Sequence, residues 1–314
     1  MVKRGSSSEP KIVPTASPTE AEQGTTELGR FLRARRDLIS PQGTAGQRRR
    51  VPGLRREEVA IQASVSVDYY ARLEQGRERT PSDLVLVALA QALQLDADGL
   101  AYMRALVRPA QSDGPVPPSE QIASGPLNAL ASLSDRPAWI KDRFQDVLAC
   151  TQLSTVLYPG IVEEPNTLRL ILLNPAVRHM YRDWPEVVAN SVASLRATAA
   201  ADRDNPRLLN LVDTLSRESP EFRLHWARHE VVAQRSGIRH LCHPTAGELT
   251  LGYQTLPIDD DATHTLVFYY PLSEDADDLQ RLRASNPFLH NGSLLRLSSE
   301  GRLVPSKGRR TAHF

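Results

Sequence analysis

No stretch of this sequence approaches the roughly 20 consecutive apolar residues that a membrane-spanning helix needs. Residues 1–25 also lack the apolar core of a secretory signal. A cytoplasmic protein with no membrane partner is the expectation. Cysteine is nearly absent: Cys150 and Cys242 are the two in 314 residues, with no CxxC pair between them. That excludes a disulfide framework and leaves two free thiols. There is no phosphate-cradling P-loop, no G-x-S-x-G and no dinucleotide glycine fingerprint. These absences argue against an enzyme, and no cofactor is expected.

What is present is a basic island. Between Leu28 and Arg79 stand 12 arginines against 6 acidic residues, a local charge of +6. Residues 1–27 sum to −1 and residues 80–314 to −4, recovering the overall +1. Such an island in a near-neutral chain is the electrostatic footprint of a phosphate-binding surface.

The island holds the run LRREEVAIQASVSVDYYARLEQGR, residues 54–77. Leu54, Val59 and Ala60 recur at helical spacing, and Glu57 and Glu58 lie in a first turn, where the helix dipole favours anions. Ser64-Val65-Ser66 interrupts the pattern, with Ser66 a good N-cap for a second helix. Tyr70 and Leu73 then share one face, Gly76 supplies a stop, and Val67, Asp68, Tyr69, Ala71 and Arg72 point outward. Two short helices joined by a tight turn, with a polar-aromatic outer face, make a helix-turn-helix. Upstream, Thr26 caps a helix carrying Leu28, Phe31 and Leu32. Downstream, Thr80-Pro81 opens a helix with Leu84, Val87, Ala88, Leu89 and Leu93 buried, and Asp96 caps a fifth.

Residues 1–25 are rich in Ser, Pro, Thr and Glu and read as a disordered tail. Residues 26–108 form the helix-turn-helix domain, and 109–126, with five prolines, a linker. Residues 127–285 mix periods. Ala138–Ile140 and Leu168–Leu173 read as strands or buried apolar runs, and 185–201, 206–218 and the segment from Ser219-Pro220 as helices. Three alternating runs, 231–243, 249–258 and 263–272, suggest an antiparallel meander with turns at Ser236-Gly237, Ala246-Gly247 and Asp259–Asp261. Residues 286–314 read as a basic, disordered tail.

The string Glu58-Val59-Ala60, Val65-Ser66, Tyr70, Leu73-Glu74, Gly76, Pro81 and Leu89-Ala90 resembles the phage-repressor-like (Xre-type) helix-turn-helix family over residues 27–108. The fuller RRRVPGLRREEVA and SVDYYARLEQGR are similar to one branch, the MmyB-like regulators. Two departures stand out. Arg55 occupies the usual Ser/Thr cap, and Ser64 replaces a turn glycine, so Ser64 must accept a strained backbone. In the second half, Asp142-Arg143, Val147–Ala149, Asn174-Pro175, Trp184, Val192–Arg196, Ser219–Phe222, Trp226–His229 and Gly247–Leu251 resemble the MmyB-like sensor domain. There Cys150-Thr151 replace the usual aromatic-Asn.

The resemblance implies an α + α/β chain: an N-terminal five-helix, phage-repressor-like helix-turn-helix domain and a C-terminal PAS-like α+β domain with an antiparallel sheet. It implies a sequence-specific transcriptional regulator whose partners are double-stranded operator DNA, a second copy of itself and a small amphipathic ligand such as a fatty acid or a signalling molecule. Motif position assigns DNA contact to Arg56, Ser66, Val67, Asp68, Tyr69, Arg72, Gln75 and Arg77. Arg suits guanine O6/N7, Asp accepts from a cytosine amine, and Val67 or Tyr69 packs on thymine methyls. The triplet Arg48-Arg49-Arg50 adds flanking phosphate or minor-groove contact. For the ligand cup the expected lining is Trp139, Phe144, Leu148, Trp184, Leu195, Phe222 and Trp226, with Arg143, Arg228 and His229 for a polar head group.

Two alternatives remain open on sequence. The second domain dimerises only, or recruits a protein partner. Or His225, His229, His240 and His243 hold zinc in a metal-dependent enzyme, although HExxH is missing and satisfied structural histidines are the plainer reading.

Overall fold

A computed structural model of the protein describes residues 26–40, 53–108, 122–233, 235–258, 263–273, 277–286, 294–298 and 301–305. The first body is five helices: α1 (Glu27–Leu38), α2 (Arg56–Gln62), α3 (Val67–Glu74), α4 (Asp83–Ala92) and α5 (Ala97–Val107). Their caps follow the side chains. Thr26 accepts from Gly29 N–H, Ser66 from Tyr69 N–H and Asp96 from Gly99 N–H. Arg55 offers α2 no side-chain cap, so Glu58 accepts from the Arg55 backbone N–H at 2.6 Å instead. Ser64 does take the left-handed conformation, at φ 54°. Expectation and structure part at α4. Its cap is Ser82, one turn position past Thr80-Pro81, which rotates the helix so that Leu84 is 83% exposed while Leu86, Leu89 and Ala90 go inside.

Phe31, Leu32, Val59, Tyr70, Leu73, Leu89, Leu93 and Met103 form the core of this body. Where α1 crosses α3 the backbones nearly touch. A Cβ on Gly29 would lie 2.4 Å from the Glu74 carbonyl oxygen, so glycine is required there. At the same crossing the Glu74 carboxylate accepts from Arg36 Nε on α1 and Arg56 Nε on α2, both at 2.6 Å, while Arg36 Nη1 reaches the Leu54 carbonyl at 2.8 Å.

After α6 (Ser124–Ser132) comes a seven-stranded antiparallel sheet. Its strands are β1 (Ala138–Asp142), β2 (Val147–Thr151), β3 (Ser236–His243), β4 (Gly247–Pro257), β5 (His264–Pro271), β6 (Leu294–Leu297) and β7 (Leu303–Pro305), in the order β3-β4-β5-β1-β2-β6-β7. Between β2 and β3 run α7 (Gln152–Leu157), α8 (Thr167–Leu173), α9 (Pro175–Met180), α10 (Trp184–Ala199), a 3-10 turn (Ala200–Asp202), α11 (Pro206–Glu218) and α12 (Pro220–Ala227). They cover one sheet face. On the other, α6 packs Leu130 against Ile140, Leu148 and Leu266, whereas α13 (Asp278–Ala284), after β5, buries Leu279 and Leu282 in the cluster beneath the covering helices. The five central strands with helices inserted between β2 and β3 are the PAS-like α+β domain that the resemblance implied.

Four local expectations change. Leu168–Leu173 is helix α8, with Leu168, Leu170 and Leu172 buried. Asn166 caps it by accepting from Arg169 N–H, and that cap, not the apolar run, sets its type. Ser236-Gly237 is no turn: it begins β3, and Gly237 lies beneath the Tyr253 ring. Beyond Ala284, Leu294–Leu297 pairs with β2 and then with β7, so part of the expected disordered tail closes the open side of β2. Likewise Ile122 is buried and α6 starts at Ser124, inside the expected linker. The triplet Arg48–Arg50 falls outside the described residues. Among the described residues no helix is long and apolar enough to cross a membrane.

Glu74 supports the whole first body, so Glu74→Gln should cost about 3–5 kcal/mol by leaving Arg36 buried and half-paired. Breaking the exposed Asp213–Arg217 pair on α11 with Asp213→Ala should change stability by less than about 0.5 kcal/mol. Urea unfolding of the two variants checks the contrast, and equal effects would refute it.

Candidate functional site

The α2–α3 unit presents one open face. Tyr70 and Leu73 are fully buried, which turns Val67, Asp68 and Arg72 outward; Asp68 is 82% exposed at its side chain and Arg72 47%. Arg72 lies 3.6 Å from Asp68 and within 5.8 Å of the Tyr69 ring centre. These are weak, solvent-screened contacts that nucleic acid can replace. Gln75 and Arg77 are exposed just past the helix. Ser66 spends its hydroxyl on the cap, leaving the first turn of α3 regular. Arg56 holds Glu74 through Nε, yet its side chain is 42% exposed, so its outer nitrogens stay accessible beside α3. The expected DNA-contacting residues within the described chain therefore share one surface around a helix stiffened from behind by Glu74.

The second site is a cavity of about 60 Å³ between the inner sheet face and the helices over it. The strands supply Trp139, Lys141, Arg239, Tyr253, Val267 and Tyr269, and α10 supplies Val187, Ser191 and Ser194. Tyr158, Tyr181 and Gln145 close it from the connecting segments. Tyr158 hydroxyl bonds to those of Tyr181 at 2.7 Å and Tyr269 at 2.8 Å. Burial, then the neighbouring phenols, holds Tyr158 well above the ordinary range for a tyrosine. Trp139 packs edge-on to Tyr158 with ring centres 5.7 Å apart.

Of the residues expected to line the ligand cup, Trp139 alone lines this cavity, while Trp226 lines a separate hollow beside Glu27, Tyr102 and Arg196. Phe144, Leu195 and Phe222 are core, and Leu148 sits on the opposite sheet face under α6. Trp184 donates to the Ile171 carbonyl beneath Arg178. Arg143 pairs with Asp202, and Arg228 is exposed. Trp226 stacks on Phe222 with the Arg196 guanidinium 3.9 Å from its centre. His229 faces the first body instead. The cavity lining left a partial signal in the sequence: the alternation along 236–243 sets Arg239 on the same inward face as Leu241 and His243.

The histidines do not converge. His243 Nε2 donates to the Val156 carbonyl at 2.8 Å, while Nδ1 accepts from the Ala246 N–H, a fully satisfied structural imidazole. His229 lies beyond the end of α12 with φ 52°, so it does not share a helix face with His225. His240 is exposed on β3. No group of potential metal ligands occurs among the described residues. Burial pushes the Cys150 thiol up to about 12, and Cys242 is exposed; both are free.

A seam joins the two bodies. Arg196, on α10 and 3% exposed, donates to Glu27 at 3.0 Å and Tyr102 at 3.4 Å in the first body, and to the Trp226 carbonyl at 2.6 Å in its own. Asp98 of α5 accepts from the Ala233 N–H at 2.9 Å and pairs with Arg235 at 2.8 Å. His229 Nδ1 stands 3.7 Å from Glu27. Burial first, then the Arg196 charge, pushes His229 down to about 4, with Glu27 opposing. Burial would raise the Glu27 carboxyl, but Arg30 and Arg196 outweigh it and hold it low.

A basic helix-turn-helix surface and a separate cavity-bearing PAS-like domain define a DNA-binding transcription regulator. The comparisons agree. Residues 27–103 match a helix-turn-helix domain model, and residues 123–284 match that of the MmyB-like transcription regulator ligand binding domain. The second match spans over half the chain, and the protein belongs to the MmyB-like transcription regulator family. No curated protein matches it.

Arg72→Ala should weaken specific DNA binding by about 1–3 kcal/mol and relax preference at one base pair. A binding-site selection returning an unchanged motif would sink that docking. The seam should also be acid-sensitive. An undocked His229 takes up a proton near its ordinary 6.5, whereas the docked one resists to about 4, so docked stability is lost as pH falls between those values. Asp142 slopes the other way, because burial and then Asp146 raise it to about 6. The measurement is therefore the difference in thermal stability between wild type and His229→Asn, a residue that tolerates the left-handed backbone. The difference should shrink from pH 7 to pH 4.5, and parallel pH profiles would refute it.

Proposed function

We propose that this regulator is ligand-responsive: a small molecule bound in the aromatic cavity alters how two copies of the helix-turn-helix domain engage operator DNA. The observation that carries this reading is α10. One stretch of it lines the cavity through Val187, Ser191 and Ser194, and its next turn sends Arg196 into Glu27 and Tyr102 of the DNA-binding body. A rigid helix touching both places is the physical link a sensor needs. Ligand shifts the docking equilibrium only by its differential affinity for the two arrangements, and Arg196 is where the arrangements differ.

A homodimer completes the reading, because one helix-turn-helix reads half a site. Ile238, Leu256 and Leu272 on the outer sheet side are between 42% and 47% exposed, apolar area suited to a second copy. Both matched domains are regulator modules, and catalysis has no part in the proposal.

The test uses Arg196→Met with whatever compound is extracted from the purified protein or best raises its melting temperature. The variant should keep the ligand-induced rise in melting temperature and lose the ligand-induced change in operator affinity. A variant that still changes operator affinity on ligand addition would show that the signal bypasses α10. If no extracted or added compound raises the melting temperature of the wild type, the domain is a dimerisation or recruitment module.

A further inference from the structure

The cavity is lined by hydrogen-bond donors and cations, and no Asp or Glu lines it. Arg239, 9% exposed, has its guanidinium 4.3 Å from the Tyr253 ring centre and no carboxylate paired with it among the described residues. The groups that face it are the phenols of Tyr269, Tyr181, Tyr253 and Tyr158. Lys141 donates to Gln145 Oε1 and likewise has no ion pair among the described residues. Burial pushes its ammonium down to about 8. An unpaired charge withdrawn from water is costly, and the buried Arg239 and part-buried Lys141 both face one cavity, where an entering anion offsets that cost.

Two further donors point the same way. The Trp139 indole N–H and the Gln145 amide nitrogen are buried, line the cavity and have no hydrogen-bond partner. The amide orientation is set by its oxygen, which accepts from Lys141 and, at 3.4 Å, from Thr167. Gln145 is 4% exposed and held at φ 74°, a left-handed backbone that only the surrounding packing sustains. Buried donors without acceptors are rare enough to mark a place where an acceptor binds.

The ladder separates the cations. Lys141 pairs with Thr265 on β5, whereas Arg239 pairs with Leu251, which pairs with Pro271, six residues further along the same strand. They enter the cavity from opposite ends, with Trp139, Tyr269 and Val267 between them. The cavity, about 60 Å³ and partly open to solvent, has room for a few waters or a compact molecule.

Resting on the sensing reading above, we infer that the ligand is a compact organic acid with acceptor groups at both ends, a dicarboxylic, keto- or hydroxy-acid with a short or ring-shaped apolar body. Arg239 and the tyrosine hydroxyls hold one end. Lys141, Gln145 and Trp139 hold the other. An amphiphile with a long tail and a single head group leaves one cation buried without a partner.

The experiment is thermal and calorimetric titration of the full chain with a panel of small acids (4-hydroxybenzoate, terephthalate, adipate, 2-oxoglutarate), each beside its methyl ester, and with myristate and a neutral acyl lactone. At least one small acid should raise the melting temperature by several degrees while its ester does not. Lys141→Met and Arg239→Lys should each weaken that acid at least tenfold. Lys141→Met should also raise the melting temperature of the ligand-free protein, since it removes a buried charge, which shows the variant is folded. If myristate, the lactone or the esters stabilise the protein and no small acid does, the acid assignment is overturned and ligand sensing stands. If nothing in the panel and no extracted compound stabilises it, both fall. Equal affinity of wild type and both variants for an acid would overturn the placement of its ends.

Discussion

The Glu74 carboxylate is the constraint on which the DNA-reading surface depends. It is 1% exposed, and a charge so buried is tolerable only when both oxygens are bonded. Arg36 from α1 and Arg56 from α2 supply those bonds from two sides, and Gly29 lets α1 come close enough for the first. The recognition helix α3 is therefore locked to both of its neighbours through its own last residue. It cannot tilt alone. Any signal that alters DNA binding must move α1, α2 and α3 together, which directs attention to where that block meets the sensor. Glu27, the first residue of α1, is that point.

Among the described residues buried guanidinium groups occur at three places, and their surroundings differ. Arg36 has a carboxylate on one side and a carbonyl on another, and is a permanent joint. Arg196 divides its hydrogen bonds between two bodies, so it is fully satisfied only when they are docked. Arg239 is surrounded by phenols, with no carboxylate paired to it among the described residues, and on the reading proposed above it is left to receive a ligand. Burial is common to all three, and the partner is what differs.

The first body was legible because its signals are local. Thr26, Ser66 and Asp96 each cap a helix within their own turn, and Tyr70 with Leu73 mark the inner face of α3. Even the strain at Ser64 followed from a missing glycine. The meander was legible for the same reason, from apolar runs of strand length separated by turn residues such as Ala246-Gly247. What escaped was set by distant partners. The run at 168–173 is apolar at every position but Arg169, so it carries no period to separate helix from strand. Large aromatics at Trp184, Phe222 and Trp226 suggested a cup, yet an aromatic residue carries no mark of whether it meets ligand or core. The inner cavity instead takes four tyrosines, Tyr158, Tyr181, Tyr253 and Tyr269, from four segments that meet only once the sheet has closed.

That closure bears on how the chain acquires its shape. The five-helix body needs contacts between near neighbours in sequence, the kind that form fastest. The sheet instead waits for strands far apart: Ile140 on β1 must find Leu266, and Thr151 on β2 must find Leu294. During synthesis the helices can pack while much of the sheet is still unmade. The nascent protein thus passes through a stage in which the DNA-binding body is packed while Glu27 still lacks its Arg196 partner.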